Sequence, residues 1–91
     1  MRSSRSPVHA GEILRNEFLE PKGVTQQALA DELGVPIQRI NTLVNGKRGV
    51  TPETAILLAR YFKTTPQFWM NLQAQYDLWH AERALAARNR T

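Results

Sequence analysis

Gln38, Arg39, Asn41, Thr42 and Asn45 put five hydrogen-bonding side chains into eight residues, and Lys47 and Arg48 follow directly. A carboxamide carries a donor beside an acceptor, so Gln and Asn can pair in bidentate fashion with an adenine edge in a major groove. Guanidinium, ammonium and further amides can hold the phosphates on either side. The chemistry on offer is recognition of duplex DNA rather than bond breaking. His9 and Glu12, with His80 far along the chain, are too few and too scattered for a metal site. No nucleophile, base and orienting group occur together, and there is no glycine-rich phosphate loop, so an enzyme is the least expected class and no cofactor is implied.

Such a strip needs a short helix held at the surface by its other face. Helix signals begin at Pro36 or Ile37, Ile40, Leu43 and Val44 supply an inner face, and Asn45-Gly46 stops the run. Upstream, Thr25 is a good N-cap for a helix from Gln26 to Leu33. Val24 and Leu29 flank that cap in hydrophobic-staple spacing, and Gly34 supplies the left-handed turn. Ala30 is small where two helices joined by a tight turn must approach. The segment from about 25 to 46 therefore reads as a helix-turn-helix.

Three more helices complete an all-α reading. The first spans His9 to Leu19, with His9 as cap, Glu12 reaching back, Ala10, Ile13, Leu14 and Phe18 inward, and Pro21 closing it. Thr51-Pro52 opens a fourth with Ala55, Leu58, Ala59 and Phe62 inward, and Glu53 sits where the helix dipole favours a negative charge. Thr65-Pro66 opens the fifth and longest, reaching about Ala86. Its Trp69, Leu72, Tyr76 and Trp79 are spaced 3, 4 and 3 apart, as in a coiled-coil seam. A small domain has limited inner surface, so part of this seam is assigned to a homodimer interface. Short β-branched pieces such as Gly49-Val50-Thr51 are too brief for strands.

With 91 residues the chain allows one core, bounded by a polar arm over 1–8 and a basic tail over 87–91, with the domain spanning 9–86. The net charge of +4 is unevenly spread: residues 9–33 hold two cations against five anions, whereas residues 34–63 hold five cations against Glu53 alone. The positive field thus coincides with the polar strip. The absence of Cys and of any apolar run near membrane-span length points to the cytoplasm and to no membrane partner.

The stretch from Thr25 to Lys47 resembles the helix-turn-helix of phage repressor and Cro proteins, and so a five-helix, lambda-repressor-like fold. Three further elements resemble HigA-type antitoxins, the virulence-associated protein I family of the Xre class: His9 to Leu14, Asn45 to Ala55, and Thr65 to Leu78, the last with Phe68-Trp69-Met70-Asn71-Leu72-Gln73 before Tyr76-Asp77-Leu78. The resemblance covers roughly residues 7 to 80. It implies a dimeric repressor of its own operon, bound to a palindromic operator, that also neutralises a RelE-like, messenger-RNA-cleaving toxin; the alternative is a stand-alone phage-type repressor. It places Gln26 on a phosphate, with Gln27 beside it, and sets Ile37, Gln38 and Thr42 against base edges. Asn45, Lys47 and Arg48 fall near the backbone, and Pro36, Arg39 and Asn41 complete the expected DNA-facing set. Ile37 stands where the family is commonly polar, so it either meets a thymine methyl or extends the inner face. Pro36 replaces a usual Ser or Thr cap, and Ala10 a usual Pro.

Overall fold

A computed structural model of the chain describes residues 7–88, and these form five helices with no strand among them. The first, α1, covers residues 10–22 in three continuous pieces: α-helical Ala10–Ile13, π-helical Leu14–Leu19 and α-helical Glu20–Lys22. Then follow α2 (Gln26–Leu33), α3 (Ile37–Val44), α4 (Pro52–Phe62) and α5 (Pro66–Arg88).

α1 departs from expectation at Pro21, which lies inside the final turn instead of ending the helix; Gly23, at φ 66°, ends it. A proline ring collides with the carbonyl four residues back and has no N–H to give. The backbone answers by widening before it, where the Glu20 N–H bonds the Arg15 carbonyl five residues away, as in a π-turn. His9 caps the other end as expected, its Nδ1 accepting the Gly11 N–H at 2.9 Å. The Glu12 carboxylate does not reach back: it stays exposed and bonds no described residue, while its own N–H bonds the His9 carbonyl at 2.9 Å.

The remaining caps follow from residue type. Thr25 Oγ1 accepts from the Ala28 N–H at 3.0 Å, Thr51 Oγ1 from Thr54 at 3.3 Å and Thr65 Oγ1 from Phe68 at 3.1 Å. Gly34, at φ 70°, turns α2 into α3, and the Val35 N–H closes onto the Ala30 carbonyl at 3.0 Å.

The core gathers Leu14, Leu29, Ile40, Leu43, Leu58 and Trp69, one or more from every helix. Gly11 lets α1 lie on the end of α3, because a Cβ there would fall within the van der Waals envelope of the Leu43 carbonyl. Trp69 corrects the seam reading. It is 0% exposed, its ring lies 5.0 Å from those of Phe18 and Phe68, and its indole N–H donates to Thr64 Oγ1 at 2.8 Å. A ring wholly covered within one chain has no area left for a partner, so Trp69 is core and Leu72 packs against that core. From residue 77 onward α5 leaves the body: all its described residues are exposed except half-buried Trp79. The helix runs through Ala87 and Arg88, into the expected tail; residues 1–6 of the expected arm and 89–91 of the tail lie outside the described residues.

Candidate nucleic-acid interface

α3 is amphipathic in the way its sequence requires. Ile40, Leu43 and Val44 are buried, and Gln38, Asn41 and Asn45 are exposed. Ile37 is half-buried and packs against the core, which favours the inner-face reading of that position. Pro36 is exposed at the N-cap, at φ −62° and ψ 147°, and supplies no capping bond, as expected of a residue with no side-chain acceptor.

The exposed amides are tied into a chain. Asn45 Nδ2 donates to Asn41 Oδ1 at 3.3 Å, and Asn41 Nδ2 donates to Gln26 Oε1 at 3.2 Å, so the start of α2 is linked to the outer face of α3. Each bond fixes the orientation of the next amide, and the chain ends on the Gln26 Nε2 donor, which bonds no described residue. Gln27 stands apart, its Nε2 engaged by Asp31 Oδ1 at 2.9 Å. Thr42 is half-buried and its hydroxyl donates to the Gln38 backbone carbonyl at 2.7 Å. With its proton spent on its own helix, that oxygen can only accept, and the methyl remains for apolar contact.

Arg39 Nη1 meets Glu53 Oε1 at 3.3 Å, joining α3 to the first turn of α4, with Glu53's side chain 73% exposed. Exposed pairs of this kind contribute about 0–1 kcal/mol, so the guanidinium remains free to exchange this partner for a phosphate. Lys47 and Arg48 are exposed in the turn after α3, and no described residue forms an ion pair with either. The Lys47 N–H bonds the Thr42 carbonyl at 2.8 Å, and the Val50 N–H bonds Gln73 Oε1 of α5 at 2.7 Å.

A helix-turn-helix family model matches residues 16–69, more than half of the chain. The virulence-associated protein I of Dichelobacter nodosus is 49% identical over 75 residues, spanning 82% of this chain and 69% of that protein. Antitoxin HigA-1 of Vibrio cholerae serotype O1 is 47% identical over 79 residues, spanning 86% and 73%. This chain belongs to the HigA-type helix-turn-helix family. Its fold matches that of the Pseudomonas aeruginosa antitoxin HigA, solved with the higBA promoter, at a TM-score of 0.87 and 44% identity over 92% of this chain and 91% of that one.

In this HigA-type chain the expected residues separate into two groups. Gln26, Gln38, Asn41, Thr42 and Asn45, with Arg39 at the edge, lie on or against the outer face of α3, and Lys47 and Arg48 extend it. Gln27, Ile37 and Pro36 are set by other demands: a carboxylate on α2, the core and the helix start. Three contributors stand in the segments that carry the resemblance but gain a structural role only here: Gly11, Gln73, and Asp77, whose Oδ1 accepts from Gln73 Nε2 at 2.9 Å. Gln73 does leave a trace, since it stands one turn after buried Trp69, where a polar side chain must find a partner.

Proposed function

We propose that this chain is a sequence-specific DNA-binding repressor that serves as the antitoxin of a HigBA-type pair, acting in the cytoplasm as a homodimer on a palindromic operator and neutralising a RelE-like toxin. The observation that carries the reading is the exposed polar face of Gln38, Asn41 and Asn45, with half-buried Gln26 hydrogen-bonded to Asn41, followed by the exposed Lys47–Arg48 turn. It belongs to a chain that shares its fold with a HigA solved on promoter DNA. Gln38 and Thr42 read base edges, with exposed Pro36 beside them in apolar contact and Ile37 holding the helix to the core. Gln26, Arg39, Asn45, Lys47 and Arg48 hold phosphates, with Gln27 beside Gln26 but tied to Asp31. Asn41 orients its two amide neighbours. A single α3 covers few base pairs, so two copies on a two-fold axis engage half-sites about 34–36 Å apart. The later part of α5, with Tyr76 and Trp79, supplies the link between copies.

A gel shift on the promoter upstream of the chain's own gene tests the DNA reading: a salt-sensitive complex that outcompetes unrelated duplex is expected, and equal affinity for both overturns it. Expression of the neighbouring toxin-like gene should arrest growth, and co-expression of this chain should relieve the arrest. Persisting arrest with both proteins soluble would leave a stand-alone repressor.

A further inference from the structure

The turn that carries Lys47 and Arg48 is tied at two points. On the α3 side the tie is local, with the Gly46 and Lys47 N–H groups on the Leu43 and Thr42 carbonyls at 3.0 and 2.8 Å. On the α4 side it comes from α5, 23 residues on, where Gln73 Oε1 accepts the Val50 N–H at 2.7 Å. The other end of the same carboxamide is also used, its Nε2 donating to Asp77 Oδ1 at 2.9 Å. Gly49 fits beneath this arrangement: a Cβ there would come to 2.9 Å from three atoms of the Gln73 amide group.

We propose that Gln73 is the positioning residue of the cationic turn, and that through the Asp77–Gln73–Val50 relay α5 sets the placement of Lys47 and Arg48 against the DNA backbone. The requirement selects glutamine. The turn needs an acceptor, Asp77 needs a donor, and a carboxamide offers both from one rigid group whatever the pH. Asn is one methylene short, Glu would face Asp77 with like charge, and an apolar side chain would leave the Val50 N–H without its partner. Held at both ends, the turn presents its two cations with less freedom to lose on binding. The relay also joins the helix assigned to the dimer link to the phosphate contacts, so association of two copies and grip on DNA are mechanically connected. The proposal rests on the reading of Lys47 and Arg48 as phosphate ligands.

Two measurements on the full chain test it: amide hydrogen exchange at Val50, and the slope of log affinity against log salt on the promoter duplex. Gln73→Ala should speed Val50 exchange about tenfold while the Lys47 amide keeps its protection. It should also lower the salt slope by about one to two, the share that Lys47→Ala with Arg48→Ala removes, and adding it to that pair should remove no more. Gln73→Glu combined with Asp77→Asn reverses the donor and acceptor between residues 73 and 77 while keeping an acceptor for Val50, and should restore both readouts. Should Gln73→Ala unfold, Gln73→Met keeps the methylene packing and removes both polar atoms. Unchanged Val50 exchange, or a slope loss that adds to that of the Lys47 and Arg48 changes, overturns the relay. If instead the Lys47 and Arg48 changes leave the slope intact by themselves, the phosphate reading fails, and Val50 exchange still reports separately whether Gln73 holds the turn.

Discussion

Gln38 and Thr42 sit one turn apart on α3, and their chemistry has diverged. Thr42 has given its proton to the backbone, whereas the Gln38 carboxamide bonds no described residue and keeps its donor and acceptor for a base pair. Gln38→Ala is therefore expected to cost about 1–3 kcal/mol on the promoter duplex and almost nothing on random duplex, compared by competition gel shift. His9 carries a second prediction. Burial of its ring, edge-on to Tyr76 at 4.8 Å, lowers its pKa from 6.5, against the opposing pull of the Asp77 and Glu12 carboxylates. The unfolded chain then binds more protons below 6.5, so the stability His9 contributes is full above that pH and is lost as pH falls through the lower folded value. Protonation also takes the Nδ1 lone pair that caps α1. His9→Asn keeps a capping acceptor without the titration. Its melting temperature should fall less than the parent's between about pH 7.5 and pH 5.5. The cap was legible in the sequence because it is local. The Arg39–Glu53 and Gln73–Val50 contacts were not, because pairings 14 and 23 residues apart depend on how helices cross.

The same division holds for elements. Starts and stops written in Thr-Pro, Thr-Gln and Gly signals gave α2, α3 and α5 nearly their observed bounds and α4 its start, whereas the stop of α4 at left-handed Lys63 carries no such signal. α1 was misjudged at Pro21 because a proline's effect depends on whether the preceding turn can widen, a property of the backbone that no residue type announces. Helix ends also supply a paired prediction. Gly34 and Lys63 both adopt left-handed geometry, at φ 70° and 60°, and Lys63 is the one non-glycine to do so among the described residues. No atom lies within 4 Å of a Cβ built on Gly34, so Gly34→Ala meets only the backbone cost, about 1–2 kcal/mol. Lys63→Gly relieves that cost but frees the unfolded chain, for a net gain of up to about 1 kcal/mol. Urea unfolding of the two variants should move the midpoint in opposite directions, and a loss of stability in Lys63→Gly would contradict the account.

At the scale of the whole molecule, the described chain measures 49 × 27 × 20 Å, drawn out by the part of α5 that leaves the body. That part exposes Leu78 and Leu85, 64% and 53% accessible, two turns apart on one face beside Trp79. These leucines make cleaner probes of association than Tyr76, which already packs on His9 and His80. Leu78→Lys with Leu85→Lys should leave helical content intact, give a monomer in sedimentation and weaken promoter binding at least about a hundredfold through lost avidity. The added charges are positive, so weaker binding could not be blamed on repulsion from DNA, and a double variant that stays dimeric would place the interface elsewhere. The seam spacing made α5 legible as a helix, but not where its apolar face passes from core to open surface, since that point is set by the extent of α4 and α1, on which it packs. The two tryptophans fall on either side of this boundary: Trp69 is sealed in the core, while Trp79 is half-open beneath the Arg83 guanidinium, 4.2 Å from its ring. The chain thus carries two intrinsic fluorophores with separate duties. Quenching by acrylamide should reach Trp79 when the chains are apart and fall as they pair, and should reach Trp69 only on unfolding, so single Trp→Phe variants would let one optical signal follow the pairing of chains and another follow the melting of each.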